Sequence, residues 1–351
     1  MKFGPVPLAQ ATGAILAHSV DLGGKRLRKG VTLDAGHVAA LAAAGHERVI
    51  VARLDPGDVH EDAAAAALAA ALVPDPAAVG LRLTAPFTGR VNLIAEGPGV
   101  ALLDVPALTA LNAVDPMITL ATVPAFHQMA QGGMVATVKI ISYGVAGADL
   151  EQACALARGA GGGTIRLARP VLRGATLIVT EIGGGLDSTE ATGPDKGRAA
   201  IAARLTALGM ALDRVVTVPH RSEELAQAIA AADSDMVLIL TGSATSDIDD
   251  VGPSALRLAG GQVDRFGMPV DPGNLLFLGR LGARPVLGLP GCARSPALNG
   301  ADWVMSRLAC GLAVSAQDIA GMGIGGLLKE IPSRPMPRAG RKTGVASRPE
   351  G

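Results

Sequence analysis

Aromatic residues and cysteines are scarce in this sequence. Its 351 residues include one Trp, one Tyr, five Phe and three Cys. Proteins that hold single-stranded nucleic acid by base stacking need several aromatic rings, so the composition argues against that class. Cys154, Cys292 and Cys310 show no C-x-x-C spacing. This set excludes a disulfide framework and a cysteine-based zinc site, and it indicates a reducing compartment.

Long hydrophobic runs are also lacking. The longest apolar run, 63–73, has 11 residues, whereas about 20 are needed to cross a bilayer. The mean hydropathy of +0.37 therefore reflects alanine, and no membrane association is expected. The first ten residues have one basic side chain and then Pro5, Pro7 and Gln10, which is unlike a secretory signal. We therefore expect a cytoplasmic protein.

Net charge is zero, but the charges are unevenly distributed. Residues 331–351 contain five basic side chains and one acidic side chain, so the preceding residues carry a net charge of −4. A negatively charged main body argues against nucleic acid as the principal ligand. Hydrophobic residues make up 49% of the chain, which is enough for a substantial core, and the length predicts two or three domains.

The composition along the chain predicts four segments. They are an N-terminal segment of helices and strands (1–74), a β-rich subdomain (75–147), an α/β domain (148–330) and a basic tail rich in Pro and Arg that we expect to be disordered (331–351). Within the first segment, 6–20 and 33–54 are each predicted to form a helix followed by a strand. Asp58 is expected to cap the alanine-rich helix that ends at Leu72.

The segment 148–330 alternates strand and helix patterns. TLIVTEI at 176–182 is an almost continuous apolar run, which is typical of a strand buried on both faces of a parallel sheet. RVVTVPH, DMVLILTG and RPVLGLPG predict further strands, with helical patterns between them. This alternation with short connections predicts a three-layer α/β sandwich with a mostly parallel sheet.

Polar, glycine-rich loops follow three of these predicted strands, at 180–193, 241–250 and 290–295. Ligands of open α/β sheets bind outside the carboxyl ends of the strands, so the three loops are the candidate site. Neither G-x-G-x-x-G nor the Walker spacing is present. The first loop still offers backbone N–H groups ahead of a helix, which is an anion site to which Lys196 or Arg198 can add a contact.

The second loop carries three carboxylates, Asp247, Asp249 and Asp250, among several hydroxyl side chains. Such close carboxylates repel one another unless they meet cations, a metal or hydrogen-bond donors. The alternative is ordinary capping of the next helix by Asp250. In the third loop, Arg294 beside Ser295 suits an oxyanion such as molybdate or phosphate. Neither a histidine metal site nor a nucleophilic cysteine is indicated.

At these loops the sequence resembles the molybdopterin-binding family. VTEI, LILTG with DDVGPSAL, and GLPG are similar to the domain shared by molybdopterin adenylyltransferases and molybdopterin molybdenumtransferases. PLAQATGAILAHSV resembles the opening helix of the molybdenumtransferases, and LRKGVTLDAGHVAALAAAGHERVIVARL resembles their segment just before the pterin domain. The whole resembles most closely bacterial units, with a β-rich insert containing ATVKII, that are often fused to a molybdenum cofactor nucleotidyltransferase.

The resemblance implies a three-layer α/β fold that binds the pyranopterin across the strand ends. It places the family's essential aspartate at Asp250, which would bind Mg²⁺ or steer the reacting phosphate or molybdate. Glu181 or an aspartate of the second loop would meet the pterin amide edge, and the terminal phosphate would lie over the glycines that follow Glu181. The residues expected to contact the cofactor are Glu181, Gly183, Gly184, Gly185, Thr241, Gly242, Ser243, Ser246, Asp247, Pro290, Gly291, Arg294 and Ser295.

Several family motifs are altered in this chain. The Gly-Gly of the family is Gly242-Ser243, its MKPGKP is MPVDPGN, its LPGNP is LPGCA at 289–293, and its Ser-Ala-Met-Asp-Gly-Tyr segment is absent. These differences favour pterin binding over molybdenum insertion.

Three functions follow as hypotheses. The first is a molybdopterin-binding protein of molybdenum cofactor biosynthesis or maturation, with transfer of a nucleotide or molybdate if it is an enzyme. The second is a non-catalytic carrier that delivers the cofactor to a nucleotidyltransferase or a molybdoenzyme. The third is a nucleotide hydrolase of the competence-damage type, which reuses the same domain. The resemblance also implies a homo-oligomer.

Overall fold

The computed structural model describes residues 1–160, 162–182 and 194–328. The chain divides into two compact units, Met1–Arg169 and Pro170–Gly351. The predicted basic tail and the glycines Gly183, Gly184 and Gly185 lie outside the described residues. No helix in the described part of the chain is long and apolar enough to cross a membrane.

The first unit contains strands β1–β14 and helices α1–α4. The strands are β1 (Lys2–Pro7), β2 (Ile15–Leu16), β3 (Val20–Asp21), β4 (Arg26–Leu27), β5 (Arg48–Arg53), β6 (Asp58–His60), β7 (Leu81–Leu83), β8 (Arg90–Ala95), β9 (Gly99–Leu103), β10 (Ile118–Thr122), β11 (Gln128–Met129), β12 (Met134–Ile140), β13 (Gly144–Ala146) and β14 (Ile165–Ala168). The helices are α1 (Ala35–Ala43), α2 (Glu61–Leu72), α3 (Val105–Asn112) and α4 (Gly147–Arg158).

The N-terminal part of this unit is an antiparallel sheet of order β1-β5-β2. The predicted helix and strand within 33–54 are confirmed as α1 and β5, but the predicted helix within 6–20 is wrong. Pro5 and Pro7 lie in β1, which pairs with β5 along its whole length, and only a short 3-10 turn, Leu8–Gln10, follows. Proline fixes φ and lacks an N–H, so it suits an edge strand better than a helix interior.

The alanine-rich helix is α2, and its predicted cap is wrong. Its N-cap is His60, whose Nδ1 accepts a hydrogen bond from the backbone N–H of Asp62 at 3.3 Å. Asp58 lies in β6, and its carboxylate accepts a hydrogen bond from the backbone N–H of Asp55 at 2.8 Å. Glu61 and Asp62 occupy the first turn, where negative charge is favourable.

The strands predicted in the β-rich region are present, mainly as an antiparallel sheet of order β10-β12-β8-β7. Helices α2 and α4 share its core: Leu68 of α2 and Ala153 of α4 are fully buried in the same hydrophobic cluster as Leu93 of β8. For this reason α4 belongs to the first unit, and the division of the chain falls after Arg169 rather than at the predicted position 148.

The second unit is a three-layer α/β sandwich, as predicted. Its elements are β15 (Gly174–Glu181), α5 (Pro194–Ala207), β16 (Ala211–Pro219), α6 (Ser222–Ala231), β17 (Met236–Leu240), α7 (Val251–Leu258), β18 (Gln262–Phe266), β19 (Phe277–Leu281), β20 (Arg284–Leu289), α8 (Gly300–Ala309) and α9 (Ala316–Gly321). The sheet order is β16-β15-β17-β20-β19-β18. The first four strands are parallel, whereas β19 and β18 add an antiparallel hairpin that the sequence did not predict.

The two faces of this sheet are covered by different helices. Leu177 and Leu238 pack in one cluster with Ile201 of α5. Their strand neighbours Ile178 and Ile239 point to the other face and pack with α6 and α7. Successive side chains of a strand point to opposite faces of the sheet. Because both faces are buried here, TLIVTEI and DMVLIL are almost continuous hydrophobic runs.

Candidate functional site

The carboxyl ends of β15, β17 and β20 lie side by side at one edge of the sheet. In the parallel register, Val179 pairs with Leu240, and Leu240 pairs with Leu289. The starting points of the three polar loops are therefore neighbours, at the edge where an open α/β sheet binds its ligands. The sequence predicted this arrangement.

Thr180 connects the carboxyl ends of β15, β16 and β17 through its side chain. Its buried side-chain oxygen accepts a hydrogen bond from the backbone N–H of Gly242 at 2.9 Å and lies 2.7 Å from Nδ1 of His220. The Thr180 hydroxyl has two acceptor positions and one proton, so it donates to or accepts from Nδ1 of His220 according to the tautomer of the ring. Sequence reasoning missed this network, in which Thr180 is the penultimate residue of β15 and His220 directly follows β16.

Gly242 lies close to the backbone at the end of β15. A Cβ atom at this position would lie 2.7 Å from the carbonyl oxygen of Thr180. Such a contact is too short for any side chain, so the approach requires glycine. Ser243, which replaces the second glycine of the family motif, is exposed.

The hydroxyls of the second loop mainly stabilise the loop itself. Thr241 is buried and donates to the carbonyl oxygen of Ser243 at 2.6 Å, and its oxygen lies 3.3 Å from that of the buried Thr245. Ser246 is exposed. The predicted contact of Thr241 with a ligand would have to use backbone atoms, because its side chain faces inward.

The three carboxylates of the second loop are satisfied separately. Asp250 caps α7: one carboxylate oxygen accepts from the N–H of Val251 at 2.7 Å and the other from the N–H of Ser246 at 3.0 Å. Asp249 forms an ion pair of 2.6 Å with Arg257. Asp247 accepts from the backbone N–H of Asp249 at 2.8 Å.

These contacts give no support to a resident Mg²⁺. Within the described ranges there is no group of three or more His, Cys, Asp or Glu side chains placed to hold a metal ion. The contacts of Asp250 therefore match its alternative role, which is to cap the N-terminus of α7.

Arg294 connects the third loop to the second. It ends the 3-10 turn Gly291–Arg294 and donates from Nη2 to the carbonyl oxygen of Thr241 at 2.8 Å. Burial lowers the pKa of its guanidinium, which nevertheless remains a cation at neutral pH. This hydrogen bond uses one of the five N–H donors of the side chain.

A cleft of about 730 Å³ opens beside Arg294. One wall is the alanine face of α5, and the other is the third loop. The lining residues are Ala199, Ala200, Ala203, Gly291, Cys292, Arg294, Ser295 and Pro296. The volume is in the range of small-molecule sites, and an apolar wall with one cation suits a flat ligand that carries an anionic group.

The predicted site residues are only partly brought together. Gly291, Arg294 and Ser295 line the cleft, and Pro290 is buried at the end of β20. Glu181 is exposed at the end of β15, and its backbone carbonyl accepts from the N–H of His220 at 2.8 Å. Asp247 and Asp250 are not part of the cleft lining. Cys292, which the sequence did not favour for chemistry, is exposed in the cleft and accepts from Nδ2 of Asn299 at 3.0 Å.

The second unit thus has the architecture of the α/β proteins that bind ligands at the ends of parallel strands. Residues 176–308 match the family described as a probable molybdopterin binding domain. This match confirms the resemblance to the molybdopterin-binding family for that part of the chain. Residues 5–53 match a family described as a domain of unknown function.

Individual proteins show more distant similarity. A protein of Aeropyrum pernix is 36% identical over 90 residues, which cover 25% of this chain and 32% of that protein. The chain therefore matches about a third of the length of this curated relative. The molybdopterin biosynthesis MoeA protein from Pyrococcus horikosii is 15% identical, with a TM-score of 0.30, and the match covers 88% of this chain and 76% of that one. A molybdopterin biosynthesis protein from Mycobacterium abscessus is 18% identical, with a TM-score of 0.27 and coverage of 40% and 94%.

Proposed function

We propose that the second unit binds molybdopterin in the cleft beside Arg294 and acts in molybdenum cofactor biosynthesis or maturation. The family match over residues 176–308 supports the ligand class. The proposed location of the ligand rests on Arg294. This residue lines the cleft and donates a hydrogen bond to the backbone carbonyl of Thr241, directly after β17.

The chemistry of the cleft is complementary to that of the ligand. The methyl groups of Ala199, Ala200 and Ala203 offer an apolar surface to the flat pterin, while the free N–H donors of Arg294 pair with the terminal phosphate. Glu181 is exposed at the same edge of the sheet and can accept from the amide edge of the pterin. The alternative phosphate partners, Gly183, Gly184 and Gly185, lie outside the described residues.

A carrier function is the second candidate, and the carboxylates of the second loop favour it. Both carboxylate oxygens of Asp250 accept hydrogen bonds from backbone N–H groups, and Asp249 forms an ion pair with Arg257. Neither is poised for acid–base or metal chemistry in this arrangement. On this proposal the protein holds the cofactor for a nucleotidyltransferase or a molybdoenzyme. The homo-oligomeric state and the cytoplasmic location remain predictions.

Copurified pterin, measured by fluorescence after oxidation, tests the binding proposal. The informative variant is Arg294→Gln, and the matched control is Arg284→Gln. Arg284 is also half-buried and donates to a single backbone carbonyl, that of Ala232, but it lies at the amino end of β20.

We expect the wild type and Arg284→Gln to retain pterin. Arg294→Gln should bind about 10–100-fold more weakly, since a charge-assisted hydrogen bond contributes about 1.5–3 kcal/mol. Equal pterin retention in both variants would show that the ligand does not bind in this cleft. Absence of pterin from the wild type produced in a cofactor-synthesising host would overturn the proposal.

Turnover separates the carrier from the transferase and the hydrolase. Incubation of the pterin-loaded protein with ATP or with molybdate should leave the bound ligand unchanged if the protein is a carrier. Formation of adenylated or molybdenum-loaded pterin would identify a transferase. Release of phosphate from a panel of nucleotides would instead identify the hydrolase.

A further inference from the structure

A second cleft lies in the first unit, and its polar lining consists of donors. It has a volume of about 350 Å³, and its polar side chains are Thr12, Thr32, Arg53 and His60. The remaining lining residues are apolar or glycine, so the lining contains no carboxylate within the part of the chain that the structure describes. A surface with this composition is complementary to an anion.

Strand pairing brings these four side chains together from distant positions in the sequence. Ile15 pairs with Ala52 of β5 and also forms an isolated bridge with Thr32. Arg53 ends β5, next to Ala52. Thr12 precedes β2, and His60 stands at the start of α2. The arrangement therefore depends on the sheet β1-β5-β2 and on the N-terminus of α2.

The donors are not occupied by the protein itself. Within residues 1–160, 162–182 and 194–328, the guanidinium of Arg53 and the hydroxyls of Thr12 and Thr32 have no hydrogen-bond or ion-pair partner. The carboxylate of Asp55 instead pairs with the amino group of Met1 at 3.0 Å and lies 3.9 Å from Nζ of Lys2. An exposed arginine without a carboxylate partner, beside two free hydroxyls, is available for an external anion.

His60 adds a directed donor. Its Nδ1 accepts the backbone N–H of Asp62, so the proton of the neutral ring is on Nε2. The capping contact thereby fixes both the tautomer and the orientation of the ring. The imidazole lines the cleft, and Nε2–H is its remaining donor.

We infer that this cleft binds a tetrahedral oxyanion, specifically the phosphate group of a small organic molecule. Arg53 supplies the charge and a planar pair of donors, and His60, Thr12 and Thr32 supply single donors. The cleft is larger than a free oxyanion requires, which favours a phosphate monoester over inorganic phosphate. The inference is independent of the proposed pterin site, because the cleft belongs to the other unit.

Calorimetric titration of the full chain with inorganic phosphate and with a panel of phosphate monoesters, at constant ionic strength in chloride, tests this inference. The test variants are Arg53→Gln and Thr32→Val. The control is Arg166→Gln, because Arg166 is an exposed arginine of β14 that does not line the cleft. A parallel titration of Arg294→Gln reports any phosphate bound by the second unit.

We expect the wild type and Arg166→Gln to bind phosphate with the same affinity, and at least one monoester more tightly. Arg53→Gln should weaken binding at least tenfold, and Thr32→Val should weaken it several-fold. Loss of binding only in Arg294→Gln would place the phosphate in the second unit and overturn the inference. Unchanged affinity in Arg53→Gln, or no binding to the wild type, would also overturn it.

Discussion

Arg294 donates a hydrogen bond from Nη2 to the backbone carbonyl of Thr241 at 2.8 Å. This contact joins the loop after β20 to the loop after β17 and holds the guanidinium at the border of the larger cleft. Because the arginine is half-buried and charged, it can stabilise the two loops and also make the proposed contact with an anion.

Gly242→Ala should destabilise the second unit. The added Cβ would lie 2.7 Å from the backbone carbonyl of Thr180, and a backbone atom has little freedom to move away. Overpacking of this kind costs about 1–3 kcal/mol. Denaturant unfolding measures the change, and we also expect weaker pterin retention. Gly291→Ala is the matched control, because its Cβ would meet nothing within 4 Å. Equal stability of the two variants would show that the loops adjust freely.

Asp250→Asn should change the free energy of unfolding by less than about 1 kcal/mol, because Asn caps helices about as well as Asp. The remaining amide oxygen can still accept from one of the two backbone donors that Asp250 now satisfies. Asp250→Ala removes both contacts and should cost about 0.5–2 kcal/mol. We expect pterin binding by the Asn variant to match the wild type with and without Mg²⁺. A loss of Mg²⁺-dependent binding or turnover in this variant would identify Asp250 as a metal ligand, as the family resemblance implies.

Cys292 should be the first cysteine to react with a maleimide in the folded protein. It is exposed in the cleft, whereas Cys154 and Cys310 are buried. Burial also raises the pKa of the Cys154 thiol, so less of the reactive thiolate is present at pH 8. Mass spectrometry after short labelling identifies the modified residue, with Cys292→Ser as the control. Bound pterin should slow the reaction, and an unchanged rate in pterin-loaded protein would argue against occupation of this cleft.

The second unit was largely predictable from sequence because its signals are local. Val237 and Ile239 face one layer of helices, and Leu238 faces the other, so β17 is apolar at every position. This pattern is specific to a strand in the middle of an α/β sandwich. The family motifs after β15, β17 and β20 then indicated the edge of the sheet where a ligand binds. The β18–β19 hairpin lacks such a continuous apolar pattern in β18, whose residues are exposed or half-buried.

Contacts between distant residues were decided only by the tertiary structure. Thr180 and His220 are 40 residues apart, and Arg294 and Thr241 are 53 apart. No local pattern in the sequence indicates either of these contacts. The sequence indicated that the three carboxylates of the second loop need partners, and the fold supplies Arg257 for Asp249 and backbone N–H groups for Asp250.

The amino-acid sequence by itself determined the layered α/β architecture and the edge of the sheet that carries the candidate site, because apolar periodicity fixes which face of each element is buried. The tertiary structure decided that 2–7 is a strand, that α4 belongs to the first unit, and that Arg53 and His60 share a cleft. These outcomes depend on pairing and packing between remote segments. Burial of the whole core selects among such pairings, and that selection cannot be read from any single segment.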